Sequence, residues 1–233
     1  MDNRNQGFIV TIDGPAASGK STTARIVAQK MGWLYLDTGA MYRALAVKVL
    51  QERIALKDTK KISGLAERTT IELIPSDNGT QVFVDGNDVT RNIRSPEVDQ
   101  AVGPVCEIPR VRKVLVSHQR KMAEDRNVVA EGRDMGTVVF PKANLKFFMK
   151  ASLEERARRR RKDMHHRGIA ISLSQIMEEI KRRDKRDENR DLSPLERAED
   201  AILIDTTDMD VNEQVAFIIA RIRQKKESER TLS

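Results

Sequence analysis

The sequence predicts an α/β fold of three layers built on a central parallel sheet, and three observations carry that reading. Phe8-Ile9-Val10-Thr11-Ile12 is a β-branched apolar run that stops at a glycine, and a helix-like segment, Thr22 to Ala28, follows at once. The alternation then repeats, with a short strand Trp33-Leu34-Tyr35-Leu36 and a helix to about Gln51. Further buried-type runs at 127–131, 145–149 and 201–205 are again separated by helical segments, the pattern of strands joined by crossover helices.

The loop between the first strand and helix carries the chemistry. Gly14, Pro15, Ala16, Ala17, Ser18, Gly19, Lys20 and Ser21 fit G-x-x-x-x-G-K-[ST], with Thr22 opening the helix. Glycines let the backbone curl so that successive N–H groups face inward, and the helix N-terminus adds the positive end of its dipole. In such a loop Lys20 supplies a point charge to the β- and γ-phosphates of a nucleoside triphosphate, and Ser21 a hydroxyl to Mg²⁺. A glycine-punctuated turn carrying Lys-Ser by chance is the alternative, expected in on the order of one chain in a hundred from average glycine usage.

Composition narrows the class. The 233 residues suffice for one or two domains. Charged residues make up 33% and hydrophobic ones 39%, as in a soluble globular protein. The net charge of +7 fits either nucleic acid or small polyanions. Aromatics are only 4% and are not interleaved with a basic stretch, which argues against stacking on single strands and for no nucleic-acid partner. A lone cysteine, Cys106, excludes an internal disulfide and reads as a small buried hydrophobe. The polar Met1–Gln6 segment lacks an apolar leader and no run is long enough to span a bilayer, so the expected location is cytoplasmic, with no membrane partner.

Beyond the second helix, Asp58 is placed to cap a helix towards Arg68. Residues 70–74 and 81–84 alternate with period two around Ser76-Asp77-Asn78-Gly79, a hairpin signal, and Asp85-Gly86-Asn87-Asp88 makes a second turn. Ser95 and Pro96 suit the cap and first position of a new helix, which Pro104 should break; Pro109 opens the next. A basic helix spans Leu153 to Asp163, a break follows at 165–168, and a second long helix begins near Ser172. Val211 to about Lys226 is the last helix. The expected organisation is a single domain with its core at about 7–68 and 106–226, an antiparallel insertion at about 69–105 and an Arg-rich lid at about 156–171.

The helix from Ser172 has an apolar stripe, Leu173, Ile176, Met177 and Ile180, that continues at helical spacing as Arg183, Asp187 and Arg190. Those charges either project into a cleft or belong to a helix that outruns the core into solvent. Glu131 and Asp134 follow a central strand, where ligands bind in open parallel sheets. Glu131 is a candidate for holding Mg²⁺ through water, or else a capping or ion-paired residue. Arg156, Arg158, Arg159, Arg160 and Arg161 crowd the basic helix; they cannot all face one ligand, and the glycine-containing break after them suits a hinged lid over phosphates. His165 and His166 have no convergent third ligand and are assigned to solvent.

These blocks resemble the bacterial cytidylate kinases over nearly the full length. The resemblance rests on Ile12-Asp13-Gly14-Pro15 entering the loop, on residues 36–43 (LDTGAMYR), on residues 131–141 (EGRDMGTVVFP) and on residues 183–190 (RDKRDENR). The Gly-Arg-Asp-Met-Gly-Thr stretch is far more specific than the phosphate loop. The resemblance implies a P-loop NTPase fold and an enzyme, a nucleoside monophosphate kinase moving the γ-phosphoryl of ATP, with Mg²⁺, onto CMP or dCMP. It implies that Thr38, Tyr42 and Arg43 hold the monophosphate side of the acceptor, that Arg112 and Asp134 read the cytosine edge, that Arg133 and Arg190 bind phosphate, and that Arg183 and Asp187 bind the sugar. It makes the inserted strands the monophosphate-binding region and the Arg-rich segment the lid, with Lys20, Arg133, Arg190, Arg156 and Arg160 as the catalytic charges, and a monomer as the expected state. Gly103 departs from the pattern, standing where relatives carry a serine that contacts the base. No general base is evident beyond Asp37 or a phosphate oxygen. The competing readings are a kinase for another monophosphate such as UMP, and a nucleic-acid-stimulated P-loop ATPase.

Overall fold

A computed structural model describes residues 7–76, 79–166 and 168–231. Along the chain run β1 (Ile9–Asp13), α1 (Lys20–Met31), β2 (Leu34–Asp37), α2 (Thr38–Gln51), α3 (Thr59–Arg68), β3 (Ile71–Ser76), β4 (Gly79–Val84) and β5 (Asn87–Asp88). Then come α4 (Pro96–Glu107), α5 (Pro109–Ala123), β6 (Val128–Gly132), β7 (Leu145–Lys150), α6 (Leu153–His166), α7 (Leu173–Asn189), β8 (Ile202–Asp205) and α8 (Val211–Thr231). A 3₁₀ turn spans Asn92–Arg94 and a π-helical turn Met135–Val139. The chain forms two compact units, one made by Leu34–Asn127 and the other by Phe8–Trp33 with the residues from Val128 onward.

In the second unit the strands lie in the order β6-β1-β7-β8, all parallel. β1 is the hub: Ile9 stands opposite Val128, and Asp13 opposite both Gly132 and Phe148. Val10, Thr11 and Ile12 are wholly buried, as are Val128, Val129 and Ala130, which is why these strands read as unbroken apolar runs instead of alternating ones. α1 packs on β6 and α8 and ends at Gly32, whose left-handed conformation lets its N–H reach the carbonyls of Ala28 and Gln29. α6 and α7 form a helical pair around Ala157, Ile176 and Ile180, with Leu153, Met164, Ile171 and Leu173 packed against them. Ser172 starts α7 with a capping box, exchanging hydrogen bonds with Gln175.

In the first unit Asp37 caps α2 by accepting from the Ala40 N–H at 2.9 Å, and Asp58 caps α3 through Lys61. β3, β4 and β5 form an antiparallel meander, with Ile71 opposite Val84 and Phe83 opposite Asp88. The expected hairpin is present; Asp77 and Asn78 of its turn lie outside the described residues, as do Met1–Gln6 and Arg167. The second turn is tighter than expected, and Asn87 and Asp88 already pair as strand. Ser95 caps α4 with Pro96 at its start.

Pro104 does not break α4, contrary to the sequence expectation. The helix runs through it to Glu107 although the ring removes one backbone donor. Burial of Val98, Ala101, Val102 and Val105 holds the last turn in place, so tertiary packing outweighs the local penalty. α6 also runs on to His166 instead of ending near Asp163, and α8 extends to Thr231 instead of Lys226. Among the described residues no helix is long and apolar enough to cross a membrane. Cys106 is half-buried.

The α6–α7 pair rests on few large apolar side chains, and Ile176 is its fully buried centre. Ile176→Ala should cost about 2–4 kcal/mol there. Hydrogen exchange should show residues 153–189 opening more readily while the β1 and β6 amides keep their protection.

Candidate active site

The loop after β1 is held in a shape that only particular residues allow. Gly14 has φ +151, and a Cβ there would lie 2.1 Å from the Met149 carbonyl oxygen; Gly19 has φ +95. Ala17 takes the left-handed conformation at φ 59, an uncommon one for a residue with a side chain. Lys20, the first residue of α1, is only 6% exposed, and its Nζ donates to the Pro15 carbonyl at 3.0 Å. Burial, with the nearby positive charges of Arg133 and Arg183, pushes its pKa down to about 7 against the pull of Glu131 and Asp187.

A dense charge network surrounds this lysine within the second unit. The Arg133 Nε donates to Asp187 Oδ2 at 2.8 Å, and its Nη1 to the Gly132 carbonyl at 3.3 Å. Arg183 Nε stands 4.0 Å from the same Asp187 oxygen, and Arg190 Nη2 stands 3.9 Å from Asp134 Oδ1. Burial works against the charge on Arg133, but Asp187, Glu131 and Asp184 outweigh it and hold its pKa above the ordinary value. Burial likewise opposes ionisation of Asp187, and Arg133, Arg183 and Arg190 reverse that, keeping its pKa low. On α7, Arg183, Asp184 and Asp187 are half-buried, whereas Lys181, Arg182, Lys185 and Arg186 are exposed. The charged continuation of the stripe therefore faces inward rather than being solvated all round.

The arginines of α6 divide by position. Arg156 is buried; its Nη1 donates to Asp184 Oδ2 at 2.5 Å and to the Ala16 carbonyl at 3.4 Å, and its Nε to the Ala151 carbonyl at 3.2 Å. Arg159 reaches Ser18 and Thr206. Arg160 lies on the flank, 3.8 Å from Glu179, and Arg158 pairs with Glu155 at 3.5 Å. Four arginines of this helix, Arg156, Arg158, Arg159 and Arg160, are thus laced to acidic residues. His165 and His166 are exposed.

Three positions in or beside this network were given no role from the sequence. Asp13 ends β1, where its Oδ1 accepts from the Met135 N–H at 2.9 Å and its Oδ2 from the Gly136 N–H at 2.8 Å. Burial raises its pKa to about 6, with Asp134 adding to the rise, while those two N–H groups and Lys20 oppose it. This carboxylate caps the π-helical turn that follows Arg133 and Asp134. Asp184 and Thr206 complete the set; only the helical phase of Asp184, close to Asp187 and one turn after Ile180, could have flagged it.

Oxygen donors suited to a hard cation are few. Ser21 is exposed in the first turn of α1 and Glu131 is buried at the end of β6. Among the described residues no three acidic, His or Cys side chains gather as a metal cluster. Ser21 and Glu131 are oxygen donors of the kind that Mg²⁺ takes directly or through water, alongside substrate phosphates.

The remaining expected residues belong to the first unit. Thr38 is buried at the start of α2, and the Arg112 guanidinium lies 5.5 Å from the centre of the Tyr42 ring. Arg43 Nη2 is 2.6 Å from Asp99 Oδ1 and its Nη1 donates to the Ile93 carbonyl at 3.0 Å.

The lowered Lys20 pKa has a stability consequence. Between about 7 and the ordinary 10.5 the unfolded chain binds a proton at Lys20 that the folded one does not, so this residue's contribution to stability rises with pH across that window. Urea titrations of wild type and Lys20→Met from pH 6 to 10 should show Lys20→Met the more stable at the acid end, with its advantage shrinking as pH rises.

Comparison with known proteins places the chain. A family model described as cytidylate kinase matches residues 10–224. The cytidylate kinase of Desulforamulus reducens is 52% identical over 217 residues, covering 93% of this chain and 97% of that protein. The cytidylate kinase of Caldanaerobacter subterraneus subsp. tengcongensis is 49% identical over 220 residues, covering 94% and 96%. The crystal structure of an uncharacterized protein from Eubacterium ventriosum shares the fold, with a TM-score of 0.52 at 14% identity over 93% of this chain and 98% of that one. With a family match spanning almost every residue and relatives at about half identity, the chain belongs to the cytidylate kinase family.

Proposed function

We infer that this enzyme transfers the γ-phosphoryl group of ATP to CMP or dCMP, giving ADP and CDP or dCDP. The observation that carries this reading is the family match from residue 10 to 224, a span that contains every residue assigned a role below. Neither a kinase for another base nor a nucleic-acid-stimulated ATPase is favoured by it.

The reaction joins two polyanions in line, so the protein's task is to neutralise, orient and exclude water. Residues 14–22 cradle the ATP phosphates with backbone N–H groups, and Lys20 places its charge at the β- and γ-phosphates. The low Lys20 pKa in the free protein supports this, because a triphosphate supplies the negative partner that a desolvated ammonium lacks. Ser21 directly and Glu131 through water would hold Mg²⁺, which would offset part of the triphosphate's charge.

For the acceptor, Thr38, Tyr42 and Arg43 take the monophosphate side, Arg133 and Arg190 its phosphate, and Arg183 and Asp187 the sugar. Arg133 reaches a phosphate only by exchanging or sharing Asp187, its partner at 2.8 Å, so acceptor binding and rearrangement of that pair are linked. Residues 69–105 serve as the monophosphate-binding region and 156–171 as the lid, with Arg156 and Arg160 contributing charge as it closes. We further propose a cytoplasmic monomer whose partners are nucleotides and not nucleic acid.

Base choice follows from one carboxylate. Cytosine offers an N4 donor where uracil offers an O4 acceptor, and Asp134, with Arg112, favours the donor. Turnover of CMP, dCMP, UMP, AMP and dTMP should rank the two cytidine nucleotides first, and UMP overtaking CMP would overturn the reading. Asp134→Asn should lower CMP turnover and narrow the CMP-to-UMP gap in kcat/KM by roughly 1–3 kcal/mol. An unchanged ratio would remove Asp134 from the base pocket. Lys20→Ala should fold and lose several powers of ten in rate.

A further inference from the structure

We propose that Thr206 is a positioning residue for the donor phosphates: it fixes the Ser18–Gly19 peptide from behind so that the Gly19 N–H points into the phosphate loop. The proposal rests on the reading of residues 14–22 as the triphosphate cradle and adds to it a residue outside the loop.

Thr206 follows β8 and is wholly buried. Its hydroxyl donates to the Ser18 carbonyl at 2.9 Å. A threonine hydroxyl has one hydrogen and a choice of acceptors, so its direction has to be set by its neighbours. Two carbonyls stand within its reach, Ser18 at 2.9 Å and Lys150 at 3.1 Å, and the shorter contact is the one to Ser18. The Lys150 carbonyl also accepts the backbone N–H of Thr206 at 2.8 Å, and Arg159 Nη1 donates to the hydroxyl oxygen at 3.2 Å. The same guanidinium is clamped by the Thr206 carbonyl at 2.5 Å and the Glu155 carboxylate at 2.9 Å, and it also reaches the Ser18 carbonyl at 3.3 Å.

The consequence comes from the peptide unit itself. A trans peptide is planar, and its C=O and N–H point in opposite directions. No cis bond occurs among the described residues. Holding the Ser18 oxygen towards Thr206 and Arg159 therefore turns the Gly19 N–H away from them, to the other side of the loop. Gly19 at φ +95 has the freedom to rotate, so without an external hold this peptide is free to flip. Its surroundings are close: a Cβ on Gly19 would lie 3.1 Å from Gln214 Oε1, which itself accepts from Thr23 Oγ1 at 2.7 Å. A correctly turned N–H is a preorganised donor, and a flipped peptide would present a carbonyl oxygen to the phosphates instead.

Thr206→Val keeps the shape and removes the hydroxyl, and Thr206→Ser keeps the hydroxyl. Kinetics with ATP varied at saturating CMP, and CMP varied at saturating ATP, test the proposal, with thermal unfolding followed in parallel. Thr206→Val should lower kcat/KM for ATP by about tenfold, the scale of one hydrogen bond to a charged group, while KM for CMP stays within about twofold. Thr206→Ser should restore the ATP parameters. In amide spectra the Gly19 N–H should shift on ATP binding in wild type and Thr206→Ser but not in Thr206→Val. A folded Thr206→Val with unchanged ATP kinetics, beside an inactive Lys20→Ala, overturns the proposal and leaves the cradle reading intact. If Lys20→Ala is also active, the cradle reading falls and takes this proposal with it. Equal loss for ATP and CMP, or failure of Thr206→Ser to restore, also overturns it. Should Thr206→Val not fold, Thr206→Ala is read by the same criteria.

Discussion

A loop that binds anions through its backbone has to keep several N–H groups unpaired while its carbonyls are held elsewhere, because a carbonyl turned inward would repel the ligand. In this chain the carbonyls are held one by one. Pro15 accepts from Lys20, Ala16 from Arg156, and Ser18 from Thr206 and Arg159. The donors come from α1, α6 and the turn after β8, so elements far apart in sequence converge on the back of one short loop. Left-handed backbone at Ala17 adds strain that a free peptide would relieve, and these bonds are what oppose that relief.

The same convergence explains the abundance of acidic partners in a basic protein. Each arginine near the loop is matched to a carboxylate: Arg133 to Asp187, Arg156 to Asp184, Arg159 to Glu155. Isolated buried guanidinium groups would carry a large desolvation cost, and pairing offsets it. Pairing also makes the site exchangeable. On the proposed reading, an incoming phosphate would not have to create order among loose cations; it would compete for guanidinium groups already fixed in place. Lys20 differs, since repulsion from Arg133 compounds its burial and lowers its pKa.

Much of this was legible in the sequence for identifiable reasons. The parallel strands announced themselves as apolar runs because both faces are covered, and Ser95-Pro96 and Ser172 announced helix starts because their side chains take orphan backbone donors. Helical phase lined up Arg183, Asp187 and Arg190 with the α7 stripe, but whether they face inward took the burial of the folded chain to decide. What escaped was set by three-dimensional convergence. Asp13 and Thr206 bond to backbone groups 122 and 188 residues away, and no local pattern encodes a partner so distant. The uninterrupted course of α4 through Pro104 escaped for a related reason, since the burial that sustains it is tertiary.

The pairing of β1 with β6 and β7 has a consequence for how the protein is made. β1 emerges first from the ribosome, yet its partners begin at Val128 and Leu145, beyond the whole of the Leu34–Asn127 unit. At about 5–20 residues per second the wait for Val128 is roughly 5–20 s, long compared with the folding of a small unit. In that interval the apolar β1 run is an unpaired strand, the kind of segment that invites adhesion to other chains. Early collapse of residues 34–127 would shorten the span to be closed and bring β6 to β1 at lower entropic cost. Synthesis order therefore makes the first unit the expected early folder, and the phosphate loop, dependent on β8 and the turn after it, among the last parts to take shape.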